Sequence, residues 1–221
     1  MNPSAAEVCL KVAALGFRVH SGWAALVAVL IEKGAPSVAA KQRPHLVETF
    51  TYTFRQPYHT AKRMPIAEAR QFIARVREEA RRLACRAIRG VQSDLQEQGI
   101  KLTRCGLLLA SGRPLPSLEK ILASHALIHT ADGELFREAI LYACARCGLK
   151  TASIRDKELL EHAKSVLGVQ PVVLMRRVTE FGRPFGAPWS QDEKFAALAA
   201  WLALKGVQKL TRKPSSRASA A

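Results

Sequence analysis

Two histidines four residues apart, followed closely by two carboxylates, make the run from Ser124 to Glu134 the densest concentration of reactive side chains in the chain. His125, His129, Asp132 and Glu134 could supply metal ligands, or an acid–base pair. A plainer explanation competes for the acids. Thr130 is a suitable N-cap, which would place Asp132 and Glu134 in a first helical turn, where the dipole favours negative charge. That cap leaves 125–129 outside the helix, and the two histidines would then share no helical face. A second candidate is His20, in the run Val19 to Trp23 that contains Gly22. It is either a proton-transfer group or a hydrogen-bonded imidazole in a polar turn. A third is Asp192, beside Glu193 and Lys194 ahead of an Ala-rich helix; capping explains it equally well. Arg55, Tyr58 and His59 combine a cation, a ring and an imidazole, suited to a phosphate or an unpaired base and equally to covering a sheet edge. Cys144 and Cys147 form a lone CxxC, and two thiols do not complete a tetrahedral zinc site.

Those residues must be positioned by a definite series of elements. Strands are predicted at 9–20, 23–31 and about 37–49, the first two apolar on both faces, as strands covered by helices must be. Pro44 in the third has no N–H to give, which assigns that strand to an edge. An aromatic and basic loop over 50–65 leads to an amphipathic helix over about 66–98. Ile66, Ala69, Ile73, Val76, Ala80, Leu83, Ala87, Val91 and Leu95 form its apolar stripe, and Arg70, Arg77, Arg81, Arg82 and Arg89 lie on its other face. A strand at 101–111, a helix at 131–147, a strand at 151–154 and helices to about 205 complete the order. Ser190 with Glu193 has the spacing of a capping box. The expected organisation is a flexible lead over 1–8, one domain over 9–205, and a basic disordered tail over 206–221.

Charge points to the partner. The 221 residues carry 34 Lys and Arg against 18 Asp and Glu, a formal net charge of +16. Such an excess favours counterion-releasing contact with polyanions, so nucleic acid is the expected partner. The five cysteines have no framework spacing and MNPSAAEV has no basic n-region, which suggests reduced thiols in a cytoplasmic protein. The longest apolar run, Trp23 to Ile31, is far short of the ~20 residues that span a bilayer, so no membrane partner is expected. Neither a P-loop nor a nucleophile elbow is present.

Three strands, a long helix, then strand, helix, strand and helices: this order resembles the ribonuclease H-like superfamily. The likeness covers roughly 9–205 and rests on element order, with weak support from Gly22-Trp23 and from the Ala-rich run after Asp192. It implies an α/β three-layer fold, with a mixed five-stranded sheet in the order 3-2-1-4-5 and helices on both faces. It also implies phosphodiester chemistry with Mg²⁺ or Mn²⁺. Members usually carry a catalytic aspartate on the first strand before a glycine-containing turn; here Arg18 or His20 stands in that slot. The end of the fourth strand, Leu109 to Arg113, also lacks the usual carboxylate. Under this likeness His20, His129, Glu134 and Asp192 are the catalytic candidates, and Asp132, Glu134 and Asp192 the metal candidates. Arg18, Arg55, Tyr58, Arg77, Arg81 and Arg113 are candidates for nucleic-acid contact. The function expected is a divergent nuclease-like protein whose carboxylate set is incomplete. The alternative is a non-catalytic nucleic-acid-binding module of the same fold; a hydrolase of small phosphate compounds stands third.

Overall fold

The computed structural model describes residues 11–110 and 114–211, the last five as backbone; Ser111–Arg113, the expected lead 1–8 and the tail from 212 lie outside it. Strand β1 (Lys11–His20) turns through Gly22, at φ +83°, into β2 (Trp23–Glu32), and β3 (Ala35–Gln42) follows. Two short helices, α1 (Tyr52–Arg55) and α2 (Pro57–Ala61), precede the long α3 (Ile66–Glu97). Then come β4 (Ile100–Leu109), α4 (Leu118–Leu122), α5 (His125–Arg146), β5 (Lys150–Arg155), α6 (Leu159–Leu167), α7 (Pro171–Gly182) and α8 (Gln191–Thr211). The sheet order is β3-β2-β1-β4-β5, with β1–β2 and β2–β3 antiparallel and β1–β4 and β4–β5 parallel. This is the predicted 3-2-1-4-5 arrangement.

Alternation along β1 builds the two cores. Ala13, Leu15, Phe17 and Val19 point into a core shared with α3 and α5. Ala14, on the other face, joins a core completed by α6, α7 and α8. Gly16 and Gly106 are register partners on β1 and β4. A Cβ at Gly16 would lie 1.8 Å from the Ala196 carbonyl oxygen, and one at Gly106 2.2 Å from that of Ala199. Helix α8 therefore rests its backbone directly on a glycine platform, which is why its sheet-facing run is alanine-rich. Phe17 and Phe136 are wholly buried on the opposite side, each contributing about 1.5–3 kcal/mol by leaving water.

Several boundaries differ from the sequence reading. The third strand is Ala35–Gln42 and stops short of Pro44; the Pro44 carbonyl accepts from Ala24 N–H at 3.1 Å, so the chain stays beside the edge without needing the missing N–H. The loop at 50–65 contains α1 and α2. On α3, Phe72, Ala84 and Ile88 are buried where the predicted stripe ran through Leu83 and Ala87, and Ile66 is exposed. Helix α8 continues to Thr211, so the stretch placed at the start of a disordered tail is helical.

The largest correction is α5. It begins at His125, with Ser124 as N-cap accepting from Leu127 N–H, rather than at Thr130. Thr130 Oγ1 donates back to Ala126 O at 3.0 Å, as a mid-helix threonine can. Gly133 interrupts nothing. Its missing Cβ makes room for the Arg137 guanidinium, which pairs with Glu134 at 3.1 Å.

Candidate functional site

The carboxyl end of β1 meets the start of α8 through one network. Arg18 and His20 share the α8 face of β1, two residues apart. Arg18 Nη1 donates to Asp192 Oδ1 and Nη2 to Asp156 Oδ2, each at 3.0 Å. His20 Nε2 lies 2.9 Å from the same Asp192 oxygen, and its ring stacks on Trp23 with centroids 4.4 Å apart. The guanidinium also sits over the Phe195 ring, 4.9 Å from its centroid. Asp192 is held in place because Ser190 and Glu193 form the predicted capping box. Ser190 Oγ accepts from Asp192 N–H at 3.2 Å, and Glu193 Oε2 accepts from Ser190 N–H at 2.9 Å. Glu193 is fully buried and also accepts from Arg43. Burial alone would push its carboxyl up, but Arg43 and the two Ser190 donors prevail and hold it at about 2. An open groove of about 740 Å³ lies alongside, lined by Arg18, Arg155, Asp156, Lys157 and Phe195 among others. It occupies the carboxyl end of the strands, where open α/β sheets commonly bind ligands.

A divalent ion of the kind the sequence likeness implies does not fit between Asp156 and Asp192 while Arg18 holds them. Mg²⁺ needs carboxylate oxygens with free lone pairs and no competing cation. Here a permanent positive charge lies within hydrogen-bond distance of both groups. Asp156 Oδ1 is the one buried carboxylate oxygen of this network without a protein donor, on the same carboxylate whose Oδ2 accepts from Arg18.

His129 and Glu134 do not join this network. The sheet separates them from it, because α5 packs on the Phe17 face and α8 on the Gly16 face. Glu134 is occupied by Arg137. His129 instead meets His125, one turn earlier, with Nε2 atoms 3.1 Å apart. His59 of α2 completes the group, its ring centroid 4.4 Å from that of His129 and 5.5 Å from that of His125. Asp132, expected as a metal ligand, is buried behind them. It accepts from Tyr58 N–H at 2.7 Å and lies 2.5 Å from His59 Nδ1. Burial raises its pKa, opposed by those two partners. The three metal candidates Asp132, Glu134 and Asp192 thus face three different sets of partners.

The expected nucleic-acid contacts also redistribute. Tyr58 is 5% exposed and cannot stack on a base. Arg77 and Arg81 both turn to Glu138, and Arg55 lies over the Phe50 ring while donating to Ser21 O. Arg113 lies outside the described residues. Arg81 nonetheless lines, with Arg82 and Arg89 of the predicted arginine face, a basic groove of about 450 Å³ between α3 and α5; what sequence reading missed is that Arg86, Arg146 and Tyr142 complete it. The i, i+4, i+7 spacing of 82, 86 and 89 was its visible signal. Of the CxxC, Cys144 is buried beside Cys105 and Cys147 is half-buried; both are free thiols. Among the described residues no helix is long and apolar enough to cross a membrane.

Sheet order, strand directions and flanking helices together define a ribonuclease H-like fold. Solved structures that share it include a Thermus thermophilus RuvC structure and T. thermophilus RuvC in complex with Holliday junction substrate. The first superposes with a TM-score of 0.52 at 12% identity over 91% of this chain and 99% of that one. The second gives 0.51 at 11% identity over 92% and 99%. The sequence matches no family model and has no match among curated proteins.

Proposed function

We propose that this chain is a non-catalytic nucleic-acid-binding protein built on a nuclease fold, with branched or duplex DNA as its first candidate ligand. The carrying observation is Arg18, whose two terminal nitrogens each lie 3.0 Å from a different carboxylate at the end of the sheet. Two-metal phosphodiester cleavage needs those oxygens for divalent ions. An internal guanidinium supplies the positive charge instead and polarises no water for attack. The formal +16 and the arginine groove between α3 and α5 support phosphate binding. The fold neighbour bound to a Holliday junction supports a four-way junction as the substrate shape to try first.

A second reading keeps catalysis. His20 Nε2 beside Asp192 Oδ1 at 2.9 Å is a carboxylate-oriented imidazole, the pairing from which a general base is made. Fluorescence anisotropy with four-way junction, duplex and single-stranded DNA and with RNA, across a salt series with and without Mn²⁺, separates the two. The expected result is binding whose log affinity falls with log salt at about −0.9 per phosphate neutralised, and no cleavage in any lane. Replacing Arg86, Arg89 and Arg146 together by alanine should reduce that slope by about 2–3. Cleavage that disappears in His20→Ala would install the second reading, and absence of binding at moderate salt would overturn nucleic-acid function.

A further inference from the structure

We propose that His59, His125 and His129 form a three-imidazole site for Zn²⁺ or a similar borderline divalent metal, on the sheet face opposite Arg18. Three of the chain's six histidines meet there. One candidate ligand nitrogen from each lies within 4.8 Å of the other two, and the two on α5 are already 3.1 Å apart. A tetrahedral ion with Zn–N bonds of about 2.0–2.1 Å separates its ligand nitrogens by ~3.3 Å. The histidine pair on α5 therefore already stands near ligand spacing, and His59 needs only a small closure. The rings meet edge to face at steep angles of 68° to 89°, so none stacks flat on another.

The surroundings of His59 argue for a metal over a chance cluster. Asp132 is 2% exposed and accepts a backbone N–H on one oxygen while the other lies 2.5 Å from His59 Nδ1. With Nδ1–H donated to that carboxylate, Nε2 carries the lone pair and is the nitrogen left to ligate. A carboxylate that fixes tautomer and orientation behind a ligating histidine is the usual support of a zinc site. His125 and His129 are exposed, so the fourth position opens to solvent and accepts water or an anionic oxygen such as a phosphate's. Neutral imidazoles without a thiolate suit Zn²⁺, Ni²⁺ or Cu²⁺ rather than Mg²⁺ or Ca²⁺. A bound ion would clip α2 to the first turns of α5.

The site is independent of the proposed function and is tested without nucleic acid. The full chain, free of any affinity tag, is dialysed against Zn²⁺, and bound metal is measured by mass spectrometry of the elements. Co²⁺ is titrated in parallel for the intense visible absorption of a tetrahedral complex. One equivalent of Zn²⁺ is expected, with a Co²⁺ spectrum of tetrahedral type. His125→Gln and His129→Gln, both at exposed positions that the fold tolerates, should each weaken binding at least about 100-fold. Asp132→Asn, which keeps an oxygen acceptor but changes the support, should weaken it about 10–100-fold. His162→Gln, at an exposed histidine elsewhere, should change nothing. Substoichiometric zinc in the wild-type chain, or uptake that survives the paired His125→Gln and His129→Gln substitution, overturns the site.

Discussion

Replacing Arg18 by aspartate inverts the charge at the centre of the α8-face network and should convert a self-contained ion cluster into a metal-dependent one. Two charge-assisted hydrogen bonds vanish, each worth about 1.5–3 kcal/mol when well shielded. Arg18 and Asp192 retain 22% side-chain exposure and Asp156 37%, so solvent screening favours the low end, about 3 kcal/mol for the pair. Mutual repulsion of three carboxylates adds to that. For a chain of this size 1 kcal/mol corresponds to about 2–4 °C in Tm, and a fall of about 10 °C is expected in the presence of a chelator. Mn²⁺ at a hundred times its Kd should then return about 2.7 kcal/mol to the variant, while the wild-type midpoint stays put. Arg18→Leu is the companion. It loses the same hydrogen bonds but, with one carboxylate fewer, should recover less with Mn²⁺. Scanning calorimetry with EDTA and with Mn²⁺ reads all three proteins. Equal Mn²⁺ shifts in wild type and Arg18→Asp, or an Arg18→Asp chain as stable as wild type without metal, would refute the view that the guanidinium stands in for a cation.

Two further outcomes test the frame that holds this network. Glu193, held at about 2 against an ordinary 4.5, has a depressed pKa in the folded state, so its stabilisation is present above pH 4.5 and is lost as pH falls from about 5 towards 2. Unscreened, that shift is worth about 3 kcal/mol; with Arg43 38% exposed, about 2 kcal/mol is expected at pH 7. Glu193→Gln should therefore lower the urea midpoint at pH 7 and converge with wild type in acid; a pH-independent gap would contradict the assignment. Gly16→Ala would drive a Cβ to 1.8 Å from the Ala196 carbonyl and should destabilise by more than about 4 kcal/mol. Gly90→Ala, with nothing near its Cβ position on exposed α3, should stabilise by about 0.5–1 kcal/mol. Equal effects from the two substitutions would mean that α8 does not rest on the sheet backbone.

The element order was legible because each element carries its own signal. Strands β1 and β2 are covered on both faces and read as continuous apolar runs; α3 has a helical stripe; Ser190 and Glu193 are three apart. The start of α5 was not legible, since Thr130 carries the local chemistry of an N-cap. The partners of the chemical groups were least legible of all. Asp132 meets His59 across 73 residues, and Arg18 meets Asp156 and Asp192 across 138 and 174. No local pattern records such contacts. His59 was visible as an imidazole in a basic loop, yet nothing in that loop pointed to His125 and His129.

Why His20 and His129 cannot share a site follows from the two-residue period of a strand. Successive side chains of β1 alternate between faces, so Phe17 and Val19 commit one face to α5 while Arg18 and His20 commit the other to α8. Both histidine-containing clusters gather at the end of the sheet where β1 stops and α5 begins, which is why a reading by chain order alone merges them. Yet the packed layer of Phe17, Val19 and Ala131 excludes water and side chains between them. The fold therefore offers two chemically distinct environments at one end: an ion network of carboxylates closed by a guanidinium, and a set of imidazoles open to solvent. Oxygen-preferring ions and nitrogen-preferring ions are sorted by those donor sets, and of these two sets among the described residues the imidazole one is free of a resident cation.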